Sequence, residues 1–186
     1  MRIVAGRHRG RALAAPPGRN VRPTADRTRQ ALFNLLEHGR AAADGSAVAG
    51  AIVLDAFAGS GALALEALSR GAATATALER DPAVAGTIRE NAARLDETAR
   101  LKVVVADASA PPRAPAPATL VFLDPPYGEG LAPRALAALD HAGWIAPGAV
   151  VAIETGTKEA LEAPSGFETL DRRAYGRAAI TLLRRA

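Results

Sequence analysis

Val53-Leu54-Asp55-Ala56-Phe57-Ala58-Gly59-Ser60-Gly61-Ala62-Leu63-Ala64 carries an apolar run into a glycine turn and on into helix-forming residues. A short apolar run bounded by glycine reads as a buried strand, and glycine at the bend permits backbone angles and close ligand approach that a Cβ would forbid. Gly59, Gly61 and Ala64 satisfy the Gly-x-Gly-x-x-Gly/Ala pattern of dinucleotide sites, and Glu79 follows Gly59 by twenty residues, where an acid for an adenosine ribose is expected. Nicotinamide and S-adenosylmethionine sites both hold a ribose this way, so the turn alone leaves the two open.

From this turn outward the chain alternates apolar runs with amphipathic stretches, the pattern of a parallel sheet flanked by helices. Strands are predicted at 52–57, 73–78, 102–106, 119–123 and 149–154, and helices at 61–70, 82–95 and 132–142. Pro82 and Pro133 mark helix starts, and Gly71 and Gly143 mark stops. Residues 167–174 and 177–183 read as an antiparallel hairpin turning at Tyr175-Gly176 and closing one edge of the sheet. The fold class is therefore α/β, doubly wound and Rossmann-like, mostly parallel, with a C-terminal hairpin and a small N-terminal extension. Residues 1–45 form that extension: a short hairpin from 2–6 and 9–14, a Pro/Gly loop, and a helix after Thr24 with Ala31, Leu32, Leu35 and Leu36 on one face and Arg27 and Arg29 elsewhere. Residues 46–186 form the catalytic domain, entered through a small-residue linker at 39–50, and 111–117 reads as a flexible loop.

Charge is unevenly placed. Nine arginines against Asp26, Glu37 and Asp44 give residues 1–45 a net +6, whereas the whole chain is +4, so the remainder is slightly acidic. Arginine clustered at one end suits a phosphate backbone, which it meets with paired N–H donors and from which it displaces counterions. The absence of cysteine excludes disulfides and thiolate chemistry and suits the cytoplasm, and three scattered histidines argue against a metal site. No apolar run reaches membrane-spanning length, and the N-terminus goes straight into Arg-rich sequence with no secretory h-region.

Asp55 separates the two cofactor readings. A carboxylate at the end of the first strand repels a pyrophosphate but suits the sulfonium and amino group of S-adenosylmethionine, unless it merely caps the turn. Asp107, ending the third strand, is placed to accept from an adenine amino group, and Phe57 is either cofactor wall or core. The sharpest feature is Asp124-Pro125-Pro126-Tyr127, straight after an apolar strand. Two prolines end the sheet and stiffen the backbone, so that Asp124 and Tyr127 project at the carboxyl edge, where open α/β sheets bind ligands. An exocyclic base amine is a poor nucleophile because its lone pair is delocalised into the ring. Accepting its hydrogens with Asp124 and a carbonyl near Pro125 favours a pyramidal nitrogen, while Tyr127 stacks on the base, which must be presented unstacked.

These residues resemble the RsmD-like 16S ribosomal RNA guanine-N2 methyltransferases over nearly the whole chain. The likeness rests on Met1 to Gly6 with Arg9-Gly10-Arg11, on Val21-Arg22-Pro23-Thr24 through Arg29-Gln30-Ala31-Leu32-Phe33-Asn34, on Asp55 to Gly71, and on Asp124 to Gly128. Asp-Pro-Pro-Tyr alone would also admit DNA adenine and cytosine amino-methyltransferases; the N-terminal block is what looks specific to the rRNA group. The resemblance implies a class I methyltransferase fold and methylation of the 2-amino group of a guanosine in 16S rRNA, within a partly or fully assembled small subunit. It implies cofactor roles for Asp55, Gly59, Gly61, Glu79 and Asp107, catalytic roles for Asp124, Pro125, Pro126 and Tyr127, a site entrance at Arg22, Pro23 and Thr24, and phosphate contacts from Arg7, Arg9 and Arg11. Ala56 and Ala64 depart from the family pattern, which often has a bulkier residue and a glycine there. The rivals are a DNA amino-methyltransferase, for which this chain lacks a separate base-reading domain, an idle RNA-binding assembly protein, and a nicotinamide oxidoreductase, which would leave Asp124 to Tyr127 unexplained.

Overall fold

A computed structural model describes residues 1–16, 23–43, 45–159 and 161–186. In chain order the elements are α1 (Pro23–His38), a 3-10 turn (Arg40–Ala42), β1 (Ile52–Asp55), α2 (Ala62–Ser69), β2 (Thr74–Glu79), α3 (Pro82–Arg94), β3 (Leu101–Val105), β4 (Ala118–Leu123), α4 (Leu131–His141), β5 (Ile145–Gly156), β6 (Phe167–Tyr175) and β7 (Ala178–Arg185). The seven strands form one sheet in the order β3-β2-β1-β4-β5-β7-β6. The first five run parallel, while β7 is antiparallel to both β5 and β6. After β3 the chain returns to the far side of β1, so the sheet order reverses between β1 and β4, and a crevice opens at their carboxyl ends.

Alternate strand residues feed two cores, as the period of two requires. Val53, Leu120 and Phe122 pack with Phe33 and Leu36 of α1, Leu65 and Leu68 of α2 and Ile88 of α3. Leu54, Val121 and Leu123 pack on the other face with Leu136 and Leu139 of α4. Ile3 and Leu13 are buried in the first of these clusters, so the N-terminal residues share the core of the sheet. Trp144 is buried, and its Nε1 donates to the Pro112 carbonyl at 2.8 Å, which holds down the Pro-rich loop. Among the described residues no helix is long and apolar enough to cross a membrane.

The predicted elements recur, most with small shifts of their ends, although β5 begins four residues earlier than expected, at Ile145; four further differences have physical causes. β1 stops at Asp55, because the glycine turn begins at once. The hairpin turns at Gly176-Arg177, one residue later than expected, with Gly176 at φ 62°. The N-terminal hairpin is a single bridge, Arg2 to Ala12, flanked by Ile3 N–H to the Arg11 carbonyl at 2.9 Å and Leu13 N–H to the Met1 carbonyl at 3.0 Å. On α1, Arg29 lies on the buried face with Leu32, Phe33 and Leu36 rather than away from it. It is only 5% exposed and is neutralised there by Asp26 at 2.8 Å and Glu66 at 3.6 Å.

Two buried carboxylates fasten the N-terminal hairpin. Glu66 on α2 accepts from Val4 N–H at 2.8 Å, Ala5 N–H at 2.9 Å and Arg70 Nε at 2.9 Å. Glu97, after α3, accepts from Arg7, from His8 at 2.7 Å and from Arg100 at 2.7 Å. Gly6 sits against the end of α2, at φ 76°, where a Cβ would fall 2.0 Å from the Ser69 carbonyl oxygen. The hairpin therefore runs the length of α2, its ends near the carboxyl edge of the sheet and its tip, residues 6–10, at the amino edge.

Candidate active site

Acids terminate four of the parallel strands: Asp55 on β1, Glu79 on β2, Asp124 just past β4 and Glu154 near the end of β5. The glycine turn after β1 is fixed by its backbone. Ala58 N–H donates to the Leu78 carbonyl at 3.1 Å and Gly59 N–H to Glu79 Oε2 at 3.0 Å. Gly61 begins α2 at φ 77°, and a Cβ there would meet Ile88 Cγ2 at 2.8 Å, so both conformation and space require glycine.

Asp55 is buried beneath this turn. Its Oδ2 accepts from Ala64 N–H in the first turn of α2 at 3.1 Å, while its Oδ1 is buried with no hydrogen-bond partner among the described residues. Burial pushes its carboxyl up to about 7, the Ala64 bond opposing this and the nearby Glu79 charge adding to it. A folded-state value above the ordinary one means that the folded protein holds the proton more tightly. Stability from this residue is thus fully present below about pH 4 and is lost as pH rises to about 7. Asp55→Asn, which keeps an acceptor for Ala64, is expected to be more stable than the parent at pH 8, on the order of 3 kcal/mol, and equal to it near pH 4. Urea unfolding at the two pH values checks this, and a gap that ignores pH would contradict it.

Between the glycine turn and the β5 and β7 ends lies a cleft of about 740 Å³, a size typical of small-molecule sites. Phe57 and Gly59 line one end, Asp124 and Tyr127 the middle, and Glu154 and Arg177 the other end. Pro125 is buried while Asp124, Pro126 and Tyr127 are exposed. The loop after Pro126 is pinned to the end of β5, because Glu159 Oε1 accepts from Gly128 N–H at 2.9 Å and Gly156 N–H at 3.2 Å. The Tyr127 hydroxyl donates to Glu154 Oε1, and the ring remains 47% exposed to the cleft. Burial, the Glu154 bond and the Glu154, Asp124 and Glu159 charges together push the Tyr127 phenol up. Burial likewise raises Glu154, with the Tyr127 bond opposing it.

The residues singled out in the sequence fall into distinct places. Phe57, Gly59, Asp124 and Tyr127 meet in the cleft. Asp55 and Gly61 lie under or behind the turn. Both oxygens of Glu79 are occupied, by Gly59 N–H and by Asp81 N–H at 3.0 Å each. Asp107 is exposed two residues past β3, outside the cleft lining, where Oδ1 accepts from Ser109 N–H at 2.7 Å. Arg7 pairs with Glu97, Arg11 donates to the Arg94 carbonyl at 2.9 Å, and Arg9 is exposed, all at or beside the hairpin tip and remote from the carboxyl edge. Arg22 and the side chains of Pro23 and Thr24 lie outside the described residues. Sequence reasoning gave no role to Glu154, Arg29 or the Tyr175-Gly176-Arg177 turn, all of which line the cleft. For Glu154 the signal was present, an acid closing the apolar run Val150 to Ile153. Among the described residues no cluster of His, Asp and Glu suits a metal ion.

The family described as Conserved hypothetical protein 95 matches residues 1–184. Ribosomal RNA small subunit methyltransferase D of Escherichia coli K12 is 37% identical over 187 residues, covering 100% of this chain and 90% of its own. The protein of that name from Haemophilus influenzae is 34% identical, covering 95% and 89%. The solved yhhF protein of Escherichia coli superposes with a TM-score of 0.84 at 37% identity, covering 100% of this chain and 97% of its own.

Proposed function

This chain belongs to the RsmD-like family of ribosomal RNA methyltransferases, described as Conserved hypothetical protein 95, and on that premise we propose that it methylates the exocyclic 2-amino group of a guanosine in 16S rRNA with S-adenosylmethionine as donor. The observation that carries the reading is the rigid Asp124 to Tyr127 turn, which ends β4 inside a cleft with a glycine turn at one end and an acid-lined wall at the other. The donor, when bound, supplies an electrophilic methyl.

The residues present fit that donor. Asp55 keeps a buried oxygen without a partner, which suits a cationic amino group, and the glycine turn offers backbone free of side chains. We assign Phe57 to the wall of that half, and Glu79 and Asp107, which lie beyond the cleft lining past the glycine turn, to the ribose and the adenine amino group. Asp124 and a carbonyl near Pro125 accept the hydrogens of the base amine, and Tyr127 holds the base flat. Alignment of this kind supplies about 7–11 kcal/mol of a transfer barrier. Asp124 need not remove a proton first, since the proton can leave after the methyl has arrived. Binding tests the donor half cheaply: S-adenosylhomocysteine is expected to bind and NADH to be ignored, and the reverse would defeat the reading.

For the rRNA, in a partly or fully assembled small subunit in the cytoplasm, we assign Arg7, Arg9 and Arg11 to phosphates, with Arg22, Pro23 and Thr24 at the entrance. α2, eight residues long, spans about 12 Å, so the hairpin tip would hold backbone at least that far from the target base. Replacing Arg9 and Arg11 together by alanine is expected to weaken RNA binding and to make the log-log salt slope shallower by about 1.5. An unchanged slope would move the phosphate surface elsewhere.

A further inference from the structure

Glu154 has no evident structural duty. It is half-buried two residues before the end of β5, and among the described residues no Lys or Arg pairs with it, the one hydrogen bond of its carboxylate being that from the Tyr127 hydroxyl. A desolvated carboxylate without a cation is costly, so its place in the cleft points to a ligand that donates to it. The register Leu123↔Ile153 sends Asp124 and Glu154 off adjacent parallel strands at the same level. Such strands lie about 4.8 Å apart, so two acceptors stand side by side in one cleft.

Guanine is the one base whose exocyclic amine is flanked by a ring N–H. In adenine and cytosine the ring nitrogen next to the amine, N1 and N3 respectively, is an acceptor, and its lone pair would face a carboxylate. We propose that Glu154 is the base-reading residue, accepting the N1–H of guanine while Asp124 accepts from the adjacent 2-amino group, with Tyr127 holding the Glu154 carboxylate in place. This rests on the guanosine assignment above and adds the group that selects guanine.

The test uses 2-aminopurine, which keeps the 2-amino group but presents an acceptor at N1. Small subunits reconstituted with guanine or 2-aminopurine at the position that the wild-type protein modifies are compared by initial rate of methyl transfer. The wild-type protein is expected to prefer guanine by about 10–100-fold. In Glu154→Gln the amide donates to N1 of 2-aminopurine and accepts from its amine, so the preference is expected to fall to near unity or invert, with S-adenosylhomocysteine affinity unchanged. Should that variant fail to fold, Tyr127→Phe, which frees Glu154 but keeps the ring, is expected to lower the same preference several-fold, and an unchanged preference there overturns the proposal. N2-methylguanosine from the wild-type protein together with an unaltered preference in Glu154→Gln overturns the proposal alone. Methylation by the wild-type protein at any other base atom overturns the guanosine assignment and the proposal together.

Discussion

Asp124→Ala is expected to lower kcat for methyl transfer by about 10²–10³-fold while leaving S-adenosylhomocysteine affinity unchanged. The side chain lies at the end of β4, exposed in the cleft, so its removal opens no cavity in the core. The glycine turn, proposed to face the donor, is held by Glu79 at Gly59 N–H and leads into α2 through the Asp55 to Ala64 bond, so it does not depend on Asp124. On the proposed assignment, what is lost is the acceptor that orients the amine and steers its lone pair toward the methyl. Single-turnover rates and calorimetry separate the two effects. Activity within a few-fold of wild type would remove Asp124 from the chemistry, and a parallel loss of cofactor affinity would make it a binding residue.

Glu66→Ala acts on the other side of the account, through stability. Glu66 is fully buried and serves two guanidinium groups and two backbone N–H groups of the N-terminal strand. Arg70 retains Glu37 at 2.8 Å and Arg29 retains Asp26 at 2.8 Å, but both are only 5% exposed and would be left short of countercharge. Removing one partner from a buried network costs about 3–5 kcal/mol, which for a chain of this size is a fall in Tm of about 10 °C. Met1 and Arg29 both line the cleft, so the N-terminal strand and the cleft wall should loosen together. Thermal unfolding and limited proteolysis of the N-terminus check this. A loss under about 1 kcal/mol with the hairpin still protected would show that the apolar anchors Ile3 and Leu13 suffice.

The parts of the molecule that were legible in the sequence are those whose information is local. Strand, glycine turn and helix follow one another within a dozen residues at Val53 to Ala64, and Asp124 to Tyr127 announces itself by two prolines after an apolar run. The parts that were not legible depend on strand order or on partners far along the chain. Glu154 becomes a neighbour of Asp124 only because β5 lies beside β4, and the Tyr175 to Arg177 turn reaches the cleft only because β7 inserts between β5 and β6. Arg29 reads as lying off the apolar face of α1, yet it is buried there, held by Asp26 one turn earlier and by Glu66, 37 positions later on another helix. The arginine-rich hairpin was legible as a basic segment, but its direction along α2, which carries Arg9 and Arg11 away from the reacting edge, follows from the Gly6 contact with Ser69 and from the two buried glutamates.

The most direct test is transfer of labelled methyl from S-adenosylmethionine to small ribosomal subunits, free 16S rRNA and duplex DNA in parallel, with the modified nucleoside identified by mass spectrometry. N2-methylguanosine in the ribosomal samples is the expected result, and the sample that reacts faster shows which assembly state is used. Methyladenine or methylcytosine in the DNA alone would contradict the account and assign the Asp124 to Tyr127 site to a DNA amino-methyltransferase.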